Sequence, residues 1–286
     1  MSEMNQHTRM RNEQWANMWA NLTEQGWKTV QLWEEGAPDF HPEYEQVQPR
    51  MLLAPSVDAS RGLVLISAGG GFRYKTYTEA HAVAEFYRSN GINAAILDYR
   101  CVPYTRYDAY CDIKRAIRIL RLRAKEFSFD GEHIAVCGFS AGGILSNMAA
   151  ALYDHGDPDA EDPVERISCR PDAAVICYGA MSAAQGRSGL GYDREAQKEL
   201  AKLSPDQNLP FDAPPYFIFQ TAKDDPRHGL QLAGALTDKG IPVELHIFKD
   251  GSHGQSLYDG QNGTEDVPHT ANWAKLAAEW LKEFGF

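Results

Sequence analysis

Gly138-Phe139-Ser140-Ala141-Gly142 sets a serine between two glycines, directly after the apolar run Ile134–Cys137 and directly before a stretch of small residues. A serine hydroxyl is a poor nucleophile until a base takes its proton, and the chemistry it then performs is acyl transfer. A sharp turn from strand into helix suits that task. It lifts the hydroxyl above the sheet and aims a helix N-terminus at the oxygen that becomes negative. Glycine is needed on both sides because a Cβ there would strike the neighbouring strand or helix. The plain alternative is an ordinary strand-to-helix turn that happens to hold a serine.

A base and an acid must accompany such a serine, and the chain order expected with this turn is serine, acid, histidine. Among nine histidines, His253 lies in Lys249-Asp250-Gly251-Ser252-His253-Gly254, just past the late apolar run Val243–Phe248. His246 falls inside that run, His228 begins a helical stretch beside Arg227, and His269 opens the last helix, so these three suit packing or surface roles. The acid should follow the preceding strand, where Tyr216–Gln220 leads into Thr221-Ala222-Lys223-Asp224-Asp225-Pro226. One carboxylate must accept from the imidazole Nδ1–H and stabilise the imidazolium. Two neighbours cannot both point there. The residue before a proline is confined to extended geometry, which favours Asp224 and leaves Asp225 as the alternative.

Ala68-Gly69-Gly70-Gly71-Phe72 follows another apolar run, and consecutive glycines let backbone N–H groups converge on a developing oxyanion. Gly70, Gly71 and Ala141 are the expected donors. A phosphate loop is disfavoured because GxxxxGK[ST] is absent, and the G-x-G-x-x-G spacing of a dinucleotide site is missing as well. Of the aromatic residues near this presumed pocket, Phe72, Tyr74 and Phe139 are taken as substrate contacts, against the general rule that most aromatics pack a core.

These residues must be held by something, and from about residue 60 strand-like and helix-like segments alternate. The apolar runs begin near residues 63, 92, 134, 173, 216 and 243. Helical spacing fits residues 78–89, 108–125, 141–153, 228–239 and 269–284. Such alternation makes βαβ units, hence a parallel sheet covered on both faces, with ligands bound at the carboxyl ends of its strands. No Ser/Pro-rich linker divides the chain. Residues 1–26 form an extension in which Trp15, Met18, Trp19 and Leu22 recur at i, i+3, i+4 and i+7. That pattern is a helix packed on the body, or else a lid or homodimer contact. Residues 27–286 form the catalytic domain, with an insertion at about 179–214 that would shape the pocket.

Composition narrows the remaining classes. In 286 residues, 28 Lys and Arg stand against 39 Asp and Glu, a formal charge of −11, opposite to what phosphate binding needs. Nucleic acid is excluded as a partner. Five scattered cysteines form no CxxC pair and fit a reducing compartment. The polar N-terminus lacks a signal-peptide pattern, and no apolar run reaches the roughly 18 residues of a membrane span. A cytoplasmic, soluble protein with no metal or cofactor is expected.

With these residues in view, the sequence resembles the α/β-hydrolase superfamily over nearly all of residues 27–286. Within it, the chain is similar to the acetyl xylan esterase and feruloyl esterase-like branch, near the hormone-sensitive-lipase group. Leu32-Trp33-Glu34-Glu35-Gly36-Ala37-Pro38, Gly69-Gly70-Gly71-Phe72, Asp98-Tyr99-Arg100, Gly138-Phe139-Ser140-Ala141-Gly142-Gly143, Ala213-Pro214-Pro215 and Ser252-His253-Gly254 carry the resemblance. It implies a mostly parallel, doubly covered sheet with an antiparallel N-terminal edge, and a Ser140, His253, Asp224 triad acting on a small-molecule ester. Two features depart from the usual pattern. Ala68 replaces the histidine that hormone-sensitive-lipase relatives carry before the glycines. Gln220 and Arg227 alter the acid loop, which keeps both aspartates in play. The resemblance implies a serine esterase releasing a short acyl group, acetyl foremost, from sugars or imported xylo-oligosaccharides. The alternatives are a prolyl-oligopeptidase-type peptidase, for which the chain has no room for a propeller domain, and a binding protein on a hydrolase scaffold.

Overall fold

The structure, a computed structural model, describes residues 6–180 and 201–286. Most of the insertion expected at 179–214, and residues 1–5 of the N-terminal extension, lie outside the described residues. Eight strands form one sheet: β1 (Lys28–Gln31), β2 (Arg50–Leu53), β3 (Leu63–Ser67), β4 (Asn93–Asp98), β5 (Ile134–Phe139), β6 (Ala173–Cys177), β7 (Tyr216–Thr221) and β8 (Val243–Phe248). Their order is β1-β2-β4-β3-β5-β6-β7-β8. Strands β4 through β8 in that order run parallel, and β2 is antiparallel to both β1 and β4. This is an α/β-hydrolase sheet with an antiparallel edge. Strands β1 and β2 have four residues each, too few for their patterning to stand out in the sequence.

Successive side chains of a strand face opposite ways, and the sheet divides its core accordingly. Ile134 and Val136 of β5 join one apolar cluster with α3 (Arg106–Leu122), α4 (Ala141–Ala151) and α5 (Arg227–Asp238). Ala135, Cys137 and Phe139 join the other, with α1 (Gln6–Glu24), α2 (His81–Ser89) and α6 (Pro268–Glu283). Central strands buried on both faces are why their sequences read as unbroken apolar runs. All five cysteines are free thiols. No helix among the described residues is long and apolar enough to cross a membrane.

Helix α3 carries arginines between its apolar positions, and they are not a solvated face. Arg115 pairs with Asp162 at 2.6 Å and Glu165 at 2.9 Å, Arg118 with Glu165 at 2.9 Å, and Arg121 with Asp172 at 2.9 Å. They tie down the long connection between α4 and β6. Asp98 and Arg100, two residues apart, take separate partners. Asp98 pairs with Arg50 at 3.0 Å and Lys75 at 2.9 Å, whereas Arg100 pairs with Asp112 at 2.8 Å.

Trp15, Met18, Trp19 and Leu22 of α1 are all buried. The Trp15 indole donates to Asp98 Oδ1 at 3.0 Å, the Trp19 indole to Thr29 Oγ1 at 3.0 Å, and the Arg50 guanidinium lies 4.1 Å from the Trp19 ring centre. In its first turn, His7 Nε2 meets the Tyr74 hydroxyl at 3.2 Å. The helix is therefore docked on the sheet, with its first turn against the loop that follows β3. Trp15 is 5% exposed, so Trp15→Ala should destabilise the protein by about 3–5 kcal/mol in urea unfolding. A loss below about 1 kcal/mol, the size of a surface substitution, would mean that α1 is only loosely seated.

Candidate active site

Strand β5 ends at Phe139 and α4 begins at Ala141, leaving Ser140 at the junction with φ 51° and ψ −118°. A non-glycine residue at positive φ is strained and persists only where its surroundings enforce it. Here the Ser140 N–H donates to Cys177 O at 3.1 Å, and Ser140 O accepts from Ile144 N at 2.9 Å. Close approach accounts for the flanking glycine of the helix: a Cβ on Gly142 would lie 2.0 Å from Ser67 O. The first turn of α4 thus presses directly on β3.

Past the end of β8, His253 reaches back across the sheet, and its Nε2 lies 2.7 Å from Ser140 Oγ. Its Nδ1 lies 2.5 Å from Asp224 Oδ2 on the loop after β7. An ionised carboxylate can only accept, so Nδ1 carries the proton and Nε2 is free to accept from the serine. Burial alone would lower the His253 pKa. The hydrogen bond and charge of Asp224, with Glu79 beyond it, outweigh that and leave it raised. Asp225 faces the other way. Arg227 donates to it from Nε at 2.6 Å and Nη2 at 2.5 Å, and those bonds hold the Asp225 carboxyl down at about 2. Gln220 donates through its side-chain amide to the Asp224 carbonyl. The two residues that depart from the usual acid loop are the ones that separate its aspartates.

In the loop after β3, Gly70 and Gly71 hold φ of 134° and 64°. A Cβ on Gly70 would lie 2.1 Å from Tyr74 O, so the loop can close this tightly only without side chains. Thr76 N donates to Gly69 O at 2.9 Å and the Tyr99 hydroxyl to Ala68 O at 2.7 Å. The Gly69 N–H is spent on Glu79 Oε2 at 2.7 Å. Among the described residues, the amides of Gly70, Gly71 and Ala141 make no hydrogen bond, which leaves three donors unspent.

The aromatic residues taken as substrate contacts fare differently. Phe139 is 0% exposed, packed between Tyr178 and Trp273 with both ring centres at 5.7 Å. It is a core residue and not a substrate contact. Alternation along β5 puts it on the face of Ala135 and Cys137, inside the second apolar cluster. Phe72 is buried against Tyr99, with the Arg106 guanidinium 5.2 Å from its ring centre. Tyr74 is half-buried at the start of α1.

Sequence reasoning missed Glu79 and Tyr178. Glu79 opens a helical stretch, where an acidic residue reads as a solvated charge at a helix N-terminus. Tyr178 reads as the end of an apolar strand.

Residues 51–227 match the model of a family described as BD-FAE. Endo-1,4-β-xylanase B of Butyrivibrio fibrisolvens is 27% identical over 256 residues, covering 82% of this chain and 39% of that protein. An acetylxylan esterase of Xylanibacter ruminicola is 24% identical over 214 residues, covering 70% of this chain and 42% of that protein. The chain thus spans well under half the length of these two relatives. Among solved structures, the acetyl ester-xyloside bifunctional hydrolase of Caldicellulosiruptor lactoaceticus superposes with a TM-score of 0.79 at 32% identity, over 91% of this chain and 97% of that one.

Proposed function

The chain belongs to the BD-FAE family of esterase-type α/β-hydrolases, and from that premise we propose that it removes short acyl groups, acetyl foremost, from sugar or xylo-oligosaccharide esters by an acyl-enzyme mechanism. The observation that carries the mechanism is the continuous contact from Asp224 through His253 to Ser140, at 2.5 Å and 2.7 Å.

Ser140 Oγ attacks the ester carbonyl carbon as its proton passes to His253 Nε2. The carbonyl oxygen becomes negative and is met by the N–H groups of Gly70, Gly71 and Ala141. The tetrahedral intermediate collapses, the C–O bond to the alcohol breaks, and His253 returns the proton to the departing oxygen. Water then repeats the sequence on the acyl-enzyme, with His253 again as base, and releases the acid. Asp224 keeps the imidazole in the required tautomer throughout.

The acetyl preference and the sugar alcohol come from the resemblance to the acetylxylan esterase and the acetyl ester-xyloside hydrolase. Hydrolysis of p-nitrophenyl esters from acetate to octanoate, beside acetate release from acetylated xylo-oligosaccharides, tests both. Turnover should peak at acetate and fall with chain length, and the oligosaccharides should release acetate. A maximum at octanoate, or no release from the oligosaccharides, would overturn the substrate assignment.

A further inference from the structure

We propose that Glu79 is a positioning residue of this esterase, a buried carboxylate that ties the oxyanion loop to the histidine loop through Tyr178. The inference rests on the Ser140, His253, Asp224 reading and deepens it.

Glu79 is 2% exposed, and both of its oxygens are engaged by donors from other parts of the fold. Oε2 accepts from the Gly69 N–H at 2.7 Å, and Oε1 accepts from the Tyr178 hydroxyl at 2.8 Å. That hydroxyl in turn accepts from the Ser256 N–H at 3.1 Å, three residues past His253. Ser256 Oγ donates to Thr78 O at 2.7 Å, beside Glu79, and closes the circuit. The Tyr178 ring lies 4.9 Å from the His253 ring. One carboxylate therefore links the loop after β3, the residue after β6 and the loop after β8.

The anchorage falls where catalysis is sensitive to it. A Cβ on Gly69 would lie 2.8 Å from both Glu79 Oε2 and Ser140 Cβ, so fixing Gly69 fixes the amides of Gly70 and Gly71 relative to the nucleophile. A misplacement of about 1 Å in such an arrangement costs on the order of a hundredfold in rate. Burying a carboxylate is costly, and a site that needed only packing would be better served by an apolar side chain.

Charge gives the arrangement a second consequence. Both partners of Glu79 donate, which suits the ionised form. Burial pushes its pKa up against those bonds and against the nearby charges of His253 and Arg11. Tyr178, Tyr99, Tyr258 and Cys177 also face it, and burial raises all four so that they stay neutral. Among the described residues, the negative charges acting on His253 are Asp224 and Glu79, and both favour the imidazolium. Removing the Glu79 charge should move the acid limb of kcat/KM to lower pH.

The test compares Glu79→Gln and Tyr178→Phe in the full chain on p-nitrophenyl acetate, with fluorophosphonate labelling of Ser140 in the parent. In Glu79→Gln, kcat should fall at least about tenfold with KM within about twofold, the mark of an interaction used in the transition state. Its acid limb should shift to lower pH. Tyr178→Phe should show the same kcat and KM split with the limb unmoved, since it keeps the carboxylate. Unchanged kcat, a KM that rises in proportion, or an unmoved limb in Glu79→Gln would overturn the proposal. If Glu79→Gln does not fold, Tyr178→Phe decides by the split alone. A parent that fails to label at Ser140 removes the triad reading and this inference with it. A labelled parent beside an unimpaired Glu79→Gln removes only the inference.

Discussion

Replacing Ser140 with alanine should reduce kcat on p-nitrophenyl acetate by about 10⁴-fold or more, because triad members act as one unit and the loss of any one removes most of their joint effect. The fold should survive. Alanine keeps the Cβ that Ser140 already carries at φ 51°, so the strain of the turn is unchanged. The side-chain contact given up is the one to His253 Nε2 at 2.7 Å, which matters for proton transfer and little for packing. The amides of Gly70, Gly71 and Ala141 remain in the variant, so a residual rate above that of water is expected, on the order of 10³-fold. Two readouts check this together: steady-state turnover, and mass-spectrometric labelling with a fluorophosphonate, which should modify the parent at Ser140 and leave the variant untouched. Turnover above about 1% of the parent would place the nucleophile elsewhere.

Asp224→Asn and Asp225→Asn should behave oppositely although the residues are adjacent. An asparagine at 224 can turn its amide N–H toward the imidazole, which selects the tautomer with the proton on Nε2. The serine then faces a donor instead of an acceptor, and kcat should fall by about 10⁴-fold. Asparagine at 225 loses the solvent-exposed pair with Arg227 and the longer approach of His228 at 4.0 Å, neither of which involves the triad, and activity should stay within about twofold. The pH profile carries the same distinction. The His253 pKa lies above its ordinary value of 6.5, and the free base is the active form. Parent kcat/KM should therefore be full at pH well above that raised value and fall as pH drops through it. Asp224→Asn removes the hydrogen bond and charge that raise it, so the limb of its residual activity should move to lower pH, whereas Asp225→Asn should leave the limb in place. An inactive Asp225→Asn beside an active Asp224→Asn would exchange their roles.

These predictions rest on features that were unevenly visible in the sequence. The turn at Ser140, the loop carrying His253 and the glycine run at 69–71 were all legible, because each is a local signal: a residue type with a conformational requirement, placed just after an apolar run. The parallel sheet was legible for the same reason, since strands buried on both faces must be apolar throughout. The helix containing Trp15 and Trp19 declared its inner face through its spacing, but not the surface it would cover. Strands β1 and β2 left almost no trace. Phe139 was misread because proximity to Ser140 in the chain was taken for proximity to the pocket, whereas the alternation of β5 turns it into the core.

Features that depend on a few neighbouring residues are thus readable in the chain alone: periodicity, turn chemistry, and the order serine, acid, histidine. The tertiary structure alone decided which groups meet. Ser140 and His253 are 113 positions apart, His253 and Asp224 are 29 apart, and Glu79 and Tyr178 are 99 apart. Asp224 and Asp225 are chemically alike and differ only in where the backbone after β7 points them and in what Gln220 and Arg227 hold in place. Glu79 is an unremarked acid in the chain and a buried tie between three loops in the fold. Strand order sets those meetings, and strand order follows from how two apolar faces are covered across the whole domain, a property that no local stretch of residues contains.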